Sequence, residues 1–290
     1  MTVDATTGGL PGRAAPKAGR APRARIAWGR FALDLAAALV LLFLLLPTLV
    51  IVPISFGDAD FIQFPPQGLT LKWYGEYFRD ADWMAATWFS LKIAVSTTVA
   101  ATVVGTLASI ALVRGRLPGA SAVQVLTLAP LIVPHIVLAV ALYLVFAPLG
   151  LTGNFGGFLI AHTMLSVPYV VLTVTAALQR LDPSLELAAL NCGASRSRAF
   201  LHVVLPNIAP GVAAGAVFAF LASFDEATVA FFISGVDGKT ITRKLFEDID
   251  YNLTPVIAAA STVMMLVSLV LMGGVEFLRA RADRGASNTP

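Results

Sequence analysis

Long apolar runs separated by short polar segments set the pattern of this chain. They fall at about Leu33 to Ile54, Thr87 to Val113, Ala120 to Phe146, Phe155 to Leu178, Ile208 to Ser234 and Thr254 to Leu278. Each approaches or exceeds the ~20 residues that a helix needs to cross a hydrocarbon core of about 30 Å. The pattern therefore predicts an all-α membrane protein with six transmembrane helices. The first run is longer than the ~7–15 residues of a signal-peptide apolar core, and no small-residue cleavage pattern follows it, so it reads as an uncleaved span. Pro47, Pro53, Pro130, Pro134 and Pro168 interrupt the runs. Each removes a backbone donor and bends its helix. Two readings of these bends stand: room for a pathway, or the general frequency of proline in membrane helices. Gly211 and Gly215 form a GxxxG in the fifth run, a spacing that permits close helix approach, here expected within the subunit.

Composition agrees with this reading and charge orients it. Hydrophobic residues make up 57% of the 290 and charged residues only 13%, against roughly 25% charged in soluble domains. With both termini cytoplasmic, fourteen of the twenty Lys and Arg fall on the inner side and five on the outer, with Lys92 inside a span. The positive-inside rule selects that orientation. The formal charge of +3 is thereby explained by topology rather than by nucleic acid. Residues 1–26 are rich in Gly, Ala, Pro and Arg and are expected to be a disordered basic cytoplasmic tail. The membrane domain is expected over 27–281 and a cytoplasmic tail over 282–290. The outer stretch from Gly57 to Ala86 carries aromatic residues among charges, which fits either a short amphipathic helix at the interface or an exposed loop. Cys192 is the only cysteine, so no intrachain disulfide forms.

The segment at 180–207, between the fourth and fifth spans, is long for a connector. Asp182 and Pro183 are suited to cap and begin a helix, and Gly193 to the left-handed residue just past its end. Ser195 is suited to cap a second short helix, expected to stop before Pro206. Leu185, Ala188 and Ala189 lie on or near one face, and Phe200, Val203 and Val204 on the next. The unit reads as a cytoplasmic docking element, with a surface hairpin packed on its own bundle as the alternative.

This segment resembles the EAA loop of binding-protein-dependent ABC importer permeases, whose pattern is Glu-Ala-Ala, three residues, Gly, nine residues, Ile-x-Leu-Pro. Ala188, Ala189, Gly193, Val203, Leu205 and Pro206 match in register. The pattern's glutamate falls at Leu187, while Glu186 lies one residue earlier and about 100° around a helix. The resemblance implies a type I ABC importer permease fold. It also implies that Glu186, Ala188, Ala189, Gly193, Ala194, Phe200, Leu205 and Pro206 belong to an ATPase-coupling loop. The implied partners are a second permease subunit, an ATP-binding ATPase dimer, an extracytoplasmic substrate-binding protein and membrane lipid. The implied location is the bacterial cytoplasmic (inner) membrane.

Gly238-Lys239-Thr240 has the look of the end of a phosphate-binding loop, but that motif needs Gly at 233, where Ile233 stands. The expectation is a transport subunit that is not an enzyme and binds no cofactor, with ATP and Mg held by the partner ATPase. No HExxH, G-x-S-x-G or cysteine pair occurs. His135, His162 and His202 are assigned no catalytic role; an intramembrane histidine is expected to hydrogen-bond between helices.

Asp225 and Glu226 lie in the fifth apolar run. A mid-membrane carboxylate costs at least about 2.5–3.5 kcal/mol on insertion scales, so both are candidates for a substrate pathway. Consecutive helical residues point about 100° apart, so the two acids are not expected to face one spot, and one of them is expected to face the pathway. Pairing of an acid with Lys92 is the structural alternative. The stretches Ser223 to Ala230, Thr240 to Ile249 and Thr254 to Val263 resemble the spermidine/putrescine branch of the family, which implies a small cationic amine as cargo. Another small nitrogen-containing substrate is the alternative within that branch. A self-contained secondary transporter is the rival from another class, with an intramembrane enzyme more distant.

Overall fold

The computed structural model describes residues 24–115, 118–235 and 238–286, with side chains from 29 to 274 and of Phe277 within those ranges. Most of the expected tail at 1–26 and the end of the tail at 282–290 lie outside the described residues. Among the described residues the structure is helical, without strands. The order is α1 (Ala24–Ser55), α2 (Lys72–Arg79), α3 (Ala81–Arg114), α4 (Ala120–Ile132), α5 (His135–Phe146), α6 (Phe155–Arg180), α7 (Pro183–Asn191) and α8 (Arg196–Ala199). A π-turn at Phe200–Val204 follows, then α9 (Leu205–Phe224), α10 (Thr228–Ile233), α11 (Ile241–Tyr251) and α12 (Val256–Ala286). Helices dominate because hydrocarbon offers no partner to a backbone N–H or C=O, and a helix satisfies both internally.

Five helices are long and apolar enough to cross a membrane, and the α4–α5 pair makes a sixth span if taken together. Residues up to Leu49 and from Val50 onward form separate packing units. In the first unit, α1 carries no charged residue from Leu35 to Leu49 and is apolar without interruption from Leu35 to Leu46, as suits a membrane span.

In the second unit α3, α6 and α9 pack on one another around Ala101, Val170, Val174, Ile208 and Ala219. Glycine sets how closely they approach. A Cβ on Gly105 would lie 2.7 Å from the Val170 Cβ, one on Gly211 2.6 Å from the Ala177 Cβ, and one on Gly215 2.9 Å from the Val170 Cα. The GxxxG is therefore used within the chain, between α6 and α9. His162, fully buried on α6, hydrogen-bonds through Nδ1 to the Ser223 hydroxyl on α9 at 2.9 Å, the helix-to-helix role expected of it.

Three local features differ from the sequence expectation. The third apolar run breaks at Val133 and Pro134, where α4 and α5 meet at 103°; proline drives the residue before it to extended backbone, and Val133 has φ −73° and ψ 132°. The helix after Ser195 does not stop before Pro206. It passes through the π-turn and continues as α9, with Pro206 in the first turn of that helix. The wider register there accommodates a residue that has no N–H to offer the preceding turn. The fifth run is not one helix to Ser234. It ends at Phe224, and α10 begins anew at Thr228. At the other boundary, α12 extends past Leu278 to residue 286.

The stretch from Gly57 to Ala86 does contain a short helix, α2, yet its aromatic face is turned into the protein. Trp73 and Tyr77 are buried beside Trp83, Ile241 and Val256. The Trp73 indole donates to the Gly57 carbonyl at 2.8 Å, and the Tyr77 hydroxyl lies 2.7 Å from that of Thr87. Buried ring polar groups thus find the partners they require.

Candidate functional site

Helix α3 places two sites far apart. From Asp82 to Arg114 it advances about 48 Å at ~1.5 Å per residue. The loop after α6 meets the Arg114 end and α11 meets the Asp82 end.

At the Arg114 end the 180–207 loop has the expected local chemistry. Asp182 precedes α7 and accepts from the Ser184 N–H at 2.8 Å, with Pro183 in the first turn. That donor holds the Asp182 carboxyl below its ordinary value, so it remains ionised at the positive end of the helix. The Ser195 hydroxyl accepts from the Arg198 N–H at 3.3 Å. Gly193 has φ +89°, a conformation that glycine adopts without a Cβ penalty. A Cβ there would meet nothing within 4 Å, so the requirement is conformational rather than steric.

Helix α7 buries none of its residues. Leu185 and Leu187 are 45% and 59% exposed, Ala188 and Cys192 are exposed, and Ala189 and Ala194 half-buried. Leu187, standing where the pattern has glutamate, thus presents an apolar side chain outward. Glu186 turns to the bundle and pairs with Arg114. Phe200 and Leu205 are half-buried and pack beside the α3–α6–α9 cluster, whereas Pro206 is exposed.

At the other end a cavity of about 1020 Å³ opens among α6, α9, α10, α11 and α12, with His135 also on its wall. The break between α9 and α10 separates the two acids. Glu226 is buried and serves as a cap: its two carboxylate oxygens accept from the Val229 and Ala230 N–H groups, each at 2.9 Å. Its backbone carbonyl accepts from the Thr242 hydroxyl at 2.8 Å, and His135 Nδ1 lies 4.0 Å from one oxygen. Asp225 ends α9, its N–H donating to the Leu221 carbonyl at 3.0 Å, and its exposed carboxylate on the cavity wall has no hydrogen bond or ion pair among the described residues. Lys92 is exposed and makes no ion pair among them, so the suggested Lys92 pairing is absent: Glu226 is committed to backbone donors instead.

Helix α11 closes one side of the cavity with Leu245, Phe246 and Ile249. Thr240 caps it by accepting from the Arg243 N–H, and the Ile241 N–H donates to the Ser90 hydroxyl on α3 at 2.8 Å. Lys239 lies 2.8 Å from Asp82 and 3.3 Å from Glu247, while Lys244 lies 3.2 Å from Asp82 and 2.9 Å from Asp248. Burial alone would lower the Lys244 pKa, but Asp248 and Asp82 outweigh it and hold the pKa above the ordinary lysine value. Lys239 and Thr240, which resemble the end of a phosphate loop in sequence, are thus occupied in ion pairs and a helix cap.

Three participants escaped the sequence reading. Arg114 counted there only toward orientation, and His135 had no role. Helix α11 has its own signal, Thr240 before apolar positions 241, 245 and 249, which marks a capped amphipathic helix. The groups of three or more His, Cys, Asp or Glu that would suit a metal ion do not occur among the described residues.

The helical bundle and its intervening loop agree with comparison to known proteins, which makes this chain the permease subunit of an ABC importer. Residues 101–284 match the family described as binding-protein-dependent transport system inner membrane component, and the chain belongs to that family. Among its relatives are two proteins of Escherichia coli (strain K12). The putrescine transport system permease protein PotI is 32% identical over 250 residues, covering 83% of this chain and 88% of PotI. The spermidine/putrescine transport system permease protein PotC is 30% identical over 244 residues, covering 84% and 92%. In fold, the chain is similar to a chain of a bacterial alginate ABC transporter solved with an alginate pentasaccharide-bound periplasmic protein, with a TM-score of 0.68 at 15% identity, covering 89% of this chain and 96% of that one.

Proposed function

We propose that this permease carries a small cationic amine, of the putrescine and spermidine class, inward across the membrane on ATP hydrolysed by a separate subunit. The observation that supports the cargo best is Asp225: an unpaired carboxylate on the wall of a cavity otherwise rich in aromatic and aliphatic side chains. A carboxylate in such surroundings favours a cation, because it offsets part of the cargo's desolvation and the aromatic rings of Tyr169, Phe218, Phe224 and Phe246 on the same wall attract positive charge. The cavity size suits a small molecule, and relatives named for putrescine and spermidine transport point to the same chemistry. In the proposed orientation α7 lies in the cytoplasm and α2 and α11 on the outer side, where a substrate-binding protein delivers cargo. A second permease completes the pathway, and the exposed Leu185, Leu187 and Ala188 on α7 dock an ATPase subunit.

In this mechanism the chain supplies binding and movement, not bond chemistry. The ATPase displaces α7 as its two halves close and open. The bundle responds by exposing the cavity first to the outer side and then to the cytoplasm. Asp225 holds the ammonium group of the cargo in transit, while Glu226 keeps the start of α10 formed beside it.

The loop assignment is tested with Gly193→Pro. Proline fixes φ near −65° and removes an N–H, whereas residue 193 needs a positive φ and its N–H donates to the Leu190 carbonyl at 3.0 Å. Membrane insertion is expected to be intact, with copurifying ATPase reduced at least ~10-fold, since ~1.4 kcal/mol is a factor of ten. Wild-type levels of ATPase with this variant would refute the docking role.

A further inference from the structure

We propose that α3 is a strut linking the coupling helix to the cavity wall, with Arg114 and Glu186 as the positioning pair that passes displacement of α7 to it. This rests on the reading of α7 as the ATPase-docking helix.

Helix α7 is tied covalently only to its neighbours in the chain, α6 before it and α8 after it. It buries no residue in the bundle. Among the described residues, the Arg114–Glu186 pair is the only side-chain hydrogen bond or ion pair that leaves it for another element. Arg114 is the last residue of α3, so the contact is made at the tip of a long helix. The pair is partly shielded, with the two side chains 24% and 28% exposed, and the negative end of the α3 dipole favours the arginine there.

The far end of α3 is fixed in a comparable way. Asp82, in its first turn, holds Lys239 before α11 and Lys244 within it, and Ser90 accepts from the Ile241 N–H at the start of α11. Helix α11 in turn presents Leu245, Phe246 and Ile249 to the cavity. A continuous helix resists compression along its axis, so α3 clamped at both ends converts a shift at Glu186 into a shift of α11. Gly105 brings α3 against Val170 of α6, which guides that movement along the bundle. The displaced glutamate of the loop thereby has a function of its own: at position 186 it reaches Arg114, while at 187 it would face outward with Leu187.

The test uses the full complex of this chain with its partner permease, ATPase subunits and binding protein in proteoliposomes, with radiolabelled putrescine as the probe. Glu186→Gln and Arg114→Gln are expected to retain ATPase in the purified complex. Putrescine moved per ATP hydrolysed is expected to fall at least threefold. The exchange R114E with E186R is expected to restore that ratio, which a purely structural contribution to assembly would not set. Asp82→Asn is expected to lower the same ratio from the other end of α3. Wild-type coupling in Glu186→Gln overturns the link. So does loss of bound ATPase in Glu186→Gln that the exchange fails to recover, since Glu186 would then touch the ATPase directly. A wild-type chain that purifies without ATPase would instead overturn the docking reading of α7, and the link with it.

Discussion

Asp225→Asn is expected to reduce putrescine uptake by roughly 10–100-fold, with assembly and thermal stability close to wild type. A hydrogen bond to a charged group contributes about 1.5–3 kcal/mol, and each ~1.4 kcal/mol is a factor of ten. The asparagine keeps the shape of the side chain and removes the charge that a cationic cargo meets. The Asp225 carboxylate has no hydrogen bond or ion pair among the described residues, so little folding stability is lost with its charge. Glu226→Gln is expected to behave differently. Its carboxylate accepts from two backbone N–H groups, and an amide has only one oxygen to offer. One buried donor would be left unsatisfied at a cost of about 1–3 kcal/mol, lowering the melting temperature of the purified protein as well as uptake. Equal stability loss in both variants would show that the two acids do not divide their roles in this way.

Gly215→Val is expected to abolish the folded bundle, read as loss of a monodisperse peak in detergent. A Cβ at this position would lie 2.6 Å from the Thr173 hydroxyl oxygen and 2.9 Å from the Val170 Cα. The second of these is backbone, which cannot swing aside. Overpacking of this kind costs ~1–3 kcal/mol or more, and here it would separate α6 from α9 along their shared face. Gly75→Ala serves as the contrast. A Cβ there meets nothing within 4 Å, and relief of glycine's conformational freedom within a helix is expected to stabilise α2 by about 0.5–1 kcal/mol. A Gly215→Val protein as stable as Gly75→Ala would contradict the close approach of α6 and α9.

What could be read from the sequence follows the range of the interactions involved. Asp182 with Pro183, Gly193 and Ser195 obey rules acting over three or four residues, and all four stand in the roles their local pattern indicates. The spans were legible because each lies in a continuous apolar run. The break at Asp225 to Ala227 was hidden because apolar residues continue on both sides without proline or glycine. Only the acid at 226, just ahead of a first turn, hints at a new helix start. Pro134 marked a bend, but its angle depends on how α5 packs against α10. The Arg114–Glu186 pair joins residues 72 positions apart and has no local signature. The same is true of Asp82 with Lys239, 157 positions apart. Glu186 was recognisable as out of register in the loop, whereas what it pairs with depends on where α3 ends.

The most direct measurement is accumulation of radiolabelled putrescine by proteoliposomes that hold this chain with its partner permease, ATPase subunits and binding protein. Accumulation is expected only with ATP, and it should disappear when the ATPase subunits are left out. Putrescine accumulation by this chain alone, driven by an ion gradient without ATP, would contradict the assignment of this protein as a subunit of an ATP-driven importer.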